Sequence, residues 1–171
     1  ANLYSSLSLI MIIKCQNLLT ESAPETKLSF AEVGTTALRW QSSSGFSPSW
    51  AIQIGKTGEE KSEVRVLGTA ALGGTAGTIT TATSYDHPAD TPIYGIKYNQ
   101  VVFERAVAGI TGTATPMTDG TITIQVDSPY TIFDDTSGST SYGYRTYFRN
   151  SVLNVTTTES DWITSAGYSF Y

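Results

Sequence analysis

The 171-residue chain is poor in the residues that carry most protein chemistry. A single cysteine, Cys15, excludes an intrachain disulfide, and a single histidine, His87, excludes a histidine-rich metal centre. Charged residues make up only 15% of the chain, with 10 basic against 15 acidic side chains and a net charge of −5. The basic residues are scattered, so the patch that phosphate contacts require is missing, and direct nucleic-acid binding is not expected. Long apolar runs are also lacking. The longest, Leu9 to Ile13, ends at Lys14 and falls far short of the roughly 20 residues that span a bilayer. It has no basic flank before it and no small-residue cleavage site after it, so no signal peptide is read there and no membrane partner is expected.

What is abundant is hydroxyl: 26 Thr and 20 Ser. With ten Tyr and no sustained helical periodicity, this composition predicts an all-β protein. Residues 1–26 read as an N-terminal extended arm and linker. A small β-barrel or sandwich follows over residues 27–100, and a second β-sandwich over residues 101–171. In the middle unit Trp50, Ile52 and Ile54 alternate with Ala51 and Gln53, then Gly55-Lys56-Thr57-Gly58 supplies turn chemistry before Val64 and Val66, a half-buried hairpin. Gly68 to Gly77 reads as a small-residue loop before a strand at Thr78 to Thr83. In the last unit Ile122, Ile124 and Val126 form one strand face, and Tyr142, Tyr144, Thr146 and Phe148 form another. Asp127-Ser128-Pro129 and Asp134 to Gly138 read as turns.

Two resemblances refine this outline. Ser141 to Asn150, with Tyr142-Gly-Tyr144-Arg145 and a closing Asn150, resembles the penultimate strand of a fibronectin type III module. That implies a sandwich whose corner tyrosine hydroxyl satisfies backbone groups. The segment departs from the family in its short length and in lacking the tryptophan of an early strand. Across the whole chain, Trp50 to Gly55, Glu60 to Val66, His87-Pro88-Ala-Asp-Thr-Pro92 and Tyr98 to Phe103 are similar in order and composition to small structural proteins of tailed-bacteriophage particles. This resemblance implies a virion location, with other virion structural proteins and copies of the chain itself as partners. Head decoration is favoured over a neck or tail position.

No motif anchors a reaction, and neither a cofactor nor a metal is expected. His87 lies in a turn without a second ligand, and Cys15 reads as a small buried residue. Asp127, Asp134 and Asp135 lack the spacing of a calcium loop. Glu59, Glu60 and Glu63 read as a charged outer face, and Gly55 to Gly58 lacks the order of a phosphate loop. Asn154-Val155-Thr156 is a glycosylation sequon that matters only after export. Two rival readings are an adhesion or carbohydrate-binding module, with Trp40, Phe46 and Trp50 as an aromatic platform and a host-surface glycan as partner, and an enzyme with convergent carboxylates in a cleft. The exposure of Trp40, Trp50 and Trp162 separates the first rival from a structural protein.

The strongest physical signal is the arm. Leu7, Leu9, Ile10, Met11, Ile12 and Ile13 form an aggregation hazard if left as a free edge, so they are the candidate assembly interface. Burying about four such side chains is worth roughly 6 to 12 kcal/mol. Association costs an estimated ~4 to 15 kcal/mol, so the arm contributes to a larger interface without sufficing alone.

Overall fold

A computed structural model describes residues 10–17, 24–70 and 74–164. Within them the chain is all-β, with twelve strands and a single 3-10 turn at Gly109–Thr111. The strands are β1 (Met11–Gln16), β2 (Glu25–Lys27), β3 (Ala37–Arg39), β4 (Ala51–Ile54), β5 (Glu63–Ala70) and β6 (Ala76–Ile79). They continue with β7 (Pro92–Ile96), β8 (Gln100–Ala106), β9 (Thr115–Thr123), β10 (Tyr130–Asp135), β11 (Gly143–Arg149) and β12 (Ile163–Thr164).

Strands β2 to β7 form one six-stranded antiparallel sheet in the order β2-β7-β4-β5-β6-β3. Its two ends meet. Ser29 N donates to Arg39 O at 2.8 Å and Gln41 N donates to Lys27 O at 2.9 Å, around the bridge between Leu28 and Trp40. The sheet therefore curls into a barrel, which removes its free edges. Inside lie Leu28, Leu38, Trp40, Phe46, Ile52, Ile54, Leu67, Ile79 and Ile93, with Trp40 and Phe46 stacked at 5.5 Å between ring centroids. The expected loop at Gly68 to Gly77 is strand at both of its ends: β5 runs on to Ala70, with a register shift between Leu67 and Thr69, and β6 begins at Ala76, while residues 71–73 lie outside the described residues. Small side chains there permit tight curvature.

The β4–β5 connection is longer than a two-residue turn. Gly55 and Gly58 take positive φ angles of 87° and 90°, the Lys56 amide donates to a Glu59 carboxylate oxygen, and the buried Gln53 amide donates to Gly55 O and Thr57 Oγ1. Contrary to the half-buried pattern of the sequence, β4 is buried on both faces. One face fills the barrel. The other, through Ala51, joins Val64 and Ile96 in the apolar cluster of the second unit.

That second unit is a sandwich. One sheet has the order β12-β11-β8-β9, and the other pairs β1 with β10. Met11, Ile13 and Cys15 of β1 face inward onto Val101, Phe103, Tyr144 and Phe148, joined by Ile124 and Val126. The arm expected over residues 1–26 is thus not separate across Met11–Gln16. That stretch is an integral strand of the sandwich, with the barrel inserted between it and β8. The reason is shape as well as hydrophobicity, since Met11 fills the space where a Cβ on Gly138 would stand. Tyr130–Asp135, bracketed by the two predicted turns, is the partner strand that the sequence pattern did not single out.

Candidate assembly surface

The residues most suggestive of chemistry are tied up inside the fold. Each of the four buried carboxylates among the described residues has a cationic partner. Glu32 meets Arg39 at 3.0 Å, Glu104 meets Arg145 at 2.6 Å, Asp135 meets Arg105 at 2.9 Å, and Glu63 meets both Arg65 and His87. Glu63 is 5% exposed, so its place on an outer charged face is corrected. It points inward from β5 because His87 Nε2 lies 2.6 Å from one carboxylate oxygen and the Ser84 amide donates to both. Burial pushes the Glu63 carboxyl up, but the hydrogen bonds from His87 and Ser84 and the charge of Arg65 outweigh it and hold the group below its ordinary value. His87, at 3% exposure, is a buried clamp that fixes the Asp86–Asp90 turn to the barrel wall.

The tyrosine hydroxyl expected at the corner of the fibronectin-like strand has a side-chain partner besides a backbone one. The Tyr144 hydroxyl donates to a side-chain oxygen of Asp135 at 3.1 Å and has a backbone hydrogen bond with Ser139. Asp135 also accepts from Arg105 and from the Ser137 amide, which ties β10 to β8 and β11 across the sandwich. Burial first, and then the Asp135 carboxylate, push the Tyr144 hydroxyl up to about 12. Cys15 is buried and its thiol pKa is likewise raised by burial, the opposite of an activated nucleophile.

Trp40 and Phe46 lie in the barrel core at 0% and 1% exposure, so the aromatic platform does not exist at the surface. Trp50 and Trp162 are half-buried, the latter under the Arg145 guanidinium at 5.0 Å. Asp127 and Asp134 are exposed while Asp135 is engaged as above, and no cluster of metal-ligating side chains occurs among the described residues. No helix there is long and apolar enough to cross a membrane.

The arm residues divide by strand parity. Met11 and Ile13 face the core, whereas Ile10 and Ile12 are 54% and 44% exposed. Leu7 and Leu9 lie outside the described residues. The register sets Ile12 opposite Asp134, Lys14 opposite Ile132 and Gln16 opposite Tyr130. The outer face of the β1–β10 pair therefore joins exposed Ile10, Ile12 and Tyr130 to half-buried Ile132, with Lys14 and Asp134 interspersed. Tyr130 and Ile132 belong to this face by cross-strand pairing, which sequence separation conceals. A second exposed apolar group, Val152, Leu153 and Val155, sits on a loop held by the Asn150 and Asn99 side chains.

Compared with known proteins, the chain matches no protein family, no curated protein and no solved structure. The surface is thus interpreted from its own geometry.

Proposed function

We propose that the protein is a non-enzymatic structural component of a larger particle, of the tailed-phage virion kind, that binds copies of itself and neighbouring subunits through the outer face and edge of the β1–β10 sheet. The observation that carries this reading is the exposed apolar face of Ile10, Ile12 and Tyr130 on a sheet whose opposite face is already satisfied by the core. A rigid sandwich beneath it presents those side chains at little ordering cost. The net charge of −5 favours an outward position such as head decoration over one against packaged DNA. A neck or tail position places the same face against a different neighbour.

Ile12→Asp tests the reading, because the side chain lies outside the core, and circular dichroism verifies that the variant folds with its new carboxylate opposite Asp134. Sedimentation velocity of the purified chain and co-sedimentation with phage particles are the measurements. Loss of association in both supports the proposal. Association and co-sedimentation unchanged from wild type overturn the role of this face.

A further inference from the structure

The two layers of the sandwich are unequal on one side. Beyond β11 the larger sheet continues into the segment 157–161, where Thr157 N donates to Phe148 O and Ser160 N to Thr146 O. Above β11 lies β1, for the Thr146 hydroxyl donates to Cys15 Sγ at 3.4 Å. Above β8 lies β10, through the stacked rings of Phe133 and Phe103 and the Asp135–Arg105 pair. The outer flank of β10 is closed by Gln125, whose amide donates to Thr131 Oγ1 and whose side-chain oxygen accepts from the Ile132 amide. Nothing comparable closes the outer flank of β1 among the described residues. The place beside β1 and above 157–161 is a groove of about 630 Å³, floored by Cys15, Thr146 and Phe148.

The Asn17 amide donates toward β10, to Pro129 O at 2.9 Å. Strand alternation then directs the N–H and C=O groups of Ile12, Lys14 and Gln16 toward the groove. An edge of this kind accepts one further strand. The groove lies between β1 and the segment 157–161, and its width suits a single extended segment.

We propose that this groove receives the segment Leu3–Leu9 of a second copy of the chain, an inference that rests on the assembly reading above. The occupant is argued from chemistry and connectivity. Leu7 and Leu9 alternate with Ser6 and Ser8, which matches an apolar floor beneath hydroxyl-bearing walls at Thr157, Thr158 and Ser160. The segment carries no charge, so it approaches Lys14 on one rim and Glu159 and Asp161 on the other without a like-charge penalty. For the same chain to fill its own groove it would have to reverse direction immediately before β1. Leu3 to Met11 contains no Gly, Pro, Asn or Asp and offers only serine, a weaker turn former, for that reversal.

The test uses the full chain, with Lys14→Pro to remove the groove-facing N–H and Lys14→Ala to keep it. Proline at an edge position whose N–H faces away from its partner strand leaves the β1–β10 ladder paired. Thr158→Arg obstructs the groove independently from the exposed opposite wall. Folding is verified by circular dichroism and the unfolding midpoint, and self-association is measured by sedimentation velocity. Lys14→Pro and Thr158→Arg should each weaken association by about tenfold or more, Lys14→Ala should not, and a synthetic peptide of the sequence Leu3–Leu9 should compete with it. Folded Lys14→Pro and Thr158→Arg proteins that associate like wild type overturn the groove. If Ile12→Asp still abolishes association in that case, the assembly reading survives, and if it does not, both fall.

Discussion

The barrel and the sandwich solve the same problem in opposite ways. Both are built from short, Thr-rich antiparallel strands with a buried apolar cluster. The barrel closes through Leu28 and Trp40, so its sheet has no free edge, and ionic groups such as Glu63 and His87 are turned inward. The sandwich stays open, with unequal layers, and among the described residues its unpaired edges include that of β1, beside an exposed apolar face. Closure removes free strand edges, while an open edge is a hazard unless a partner covers it. On the assembly proposal, the barrel supports and the sandwich makes the contact.

The largest effect is expected from Trp40→Ala, which empties the barrel's biggest buried side chain and should cost about 3 to 5 kcal/mol. Since Ala51, Val64 and Ile96 of the barrel belong to the sandwich's apolar cluster, denaturant unfolding should shift as one transition. A sandwich transition left in place would show that the two units unfold separately. Next is Asp135→Ala, which leaves the partly exposed Arg105 and the buried Tyr144 hydroxyl without their anchor and should cost roughly 2 to 4 kcal/mol in the same single transition. A loss below about 0.5 kcal/mol in equilibrium unfolding would mean that apolar packing by itself holds β10 to β8.

The smallest effects come from pH, and they separate the two regions. Glu63 in the barrel has a folded pKa below its ordinary 4.5. Its contribution is present above that value and is lost as pH falls through the lower folded value. Tyr144 in the sandwich has a raised folded pKa, so its contribution is complete below the ordinary value of 10 and disappears as pH rises toward about 12. Melting temperatures of wild type and Glu63→Gln should therefore converge at acid pH. Those of wild type and Tyr144→Phe should converge at alkaline pH. Parallel curves for either pair would remove that group from the ledger.

Much of the strand pattern was legible along the chain. Tyr144, Thr146 and Phe148 face inward while Arg145 and Arg149 face out, as their alternation requires. Ile122, Ile124 and Val126 were legible as one face, although Ile122 belongs to β9 and the other two enter the core beyond its end. The barrel's hairpin was legible from Gly55 and Gly58. The candidate surface was legible only in half: the apolar run Ile10 to Ile13 announced itself, but Ile132 and Tyr130 join it through a pairing across more than a hundred residues. Glu63 was misplaced because alternation marks faces without saying which one the barrel encloses: its cross-strand partner Ile54 lies in the barrel core, so Glu63 shares that inner face, where His87 meets it.

Composition and alternation by themselves determined that this chain forms antiparallel β-structure, where turns such as Gly55–Gly58 and Asp127–Pro129 fall and which side of several strands is apolar, because those properties follow from side chains close in sequence. Only the tertiary structure decided that β1 belongs to the C-terminal sandwich, that the middle sheet closes into a barrel, and that one edge stays open beside β1. These depend on which strands meet, and pairing between distant segments is set by the fit of whole faces, as where Met11 occupies the space that Gly138 leaves.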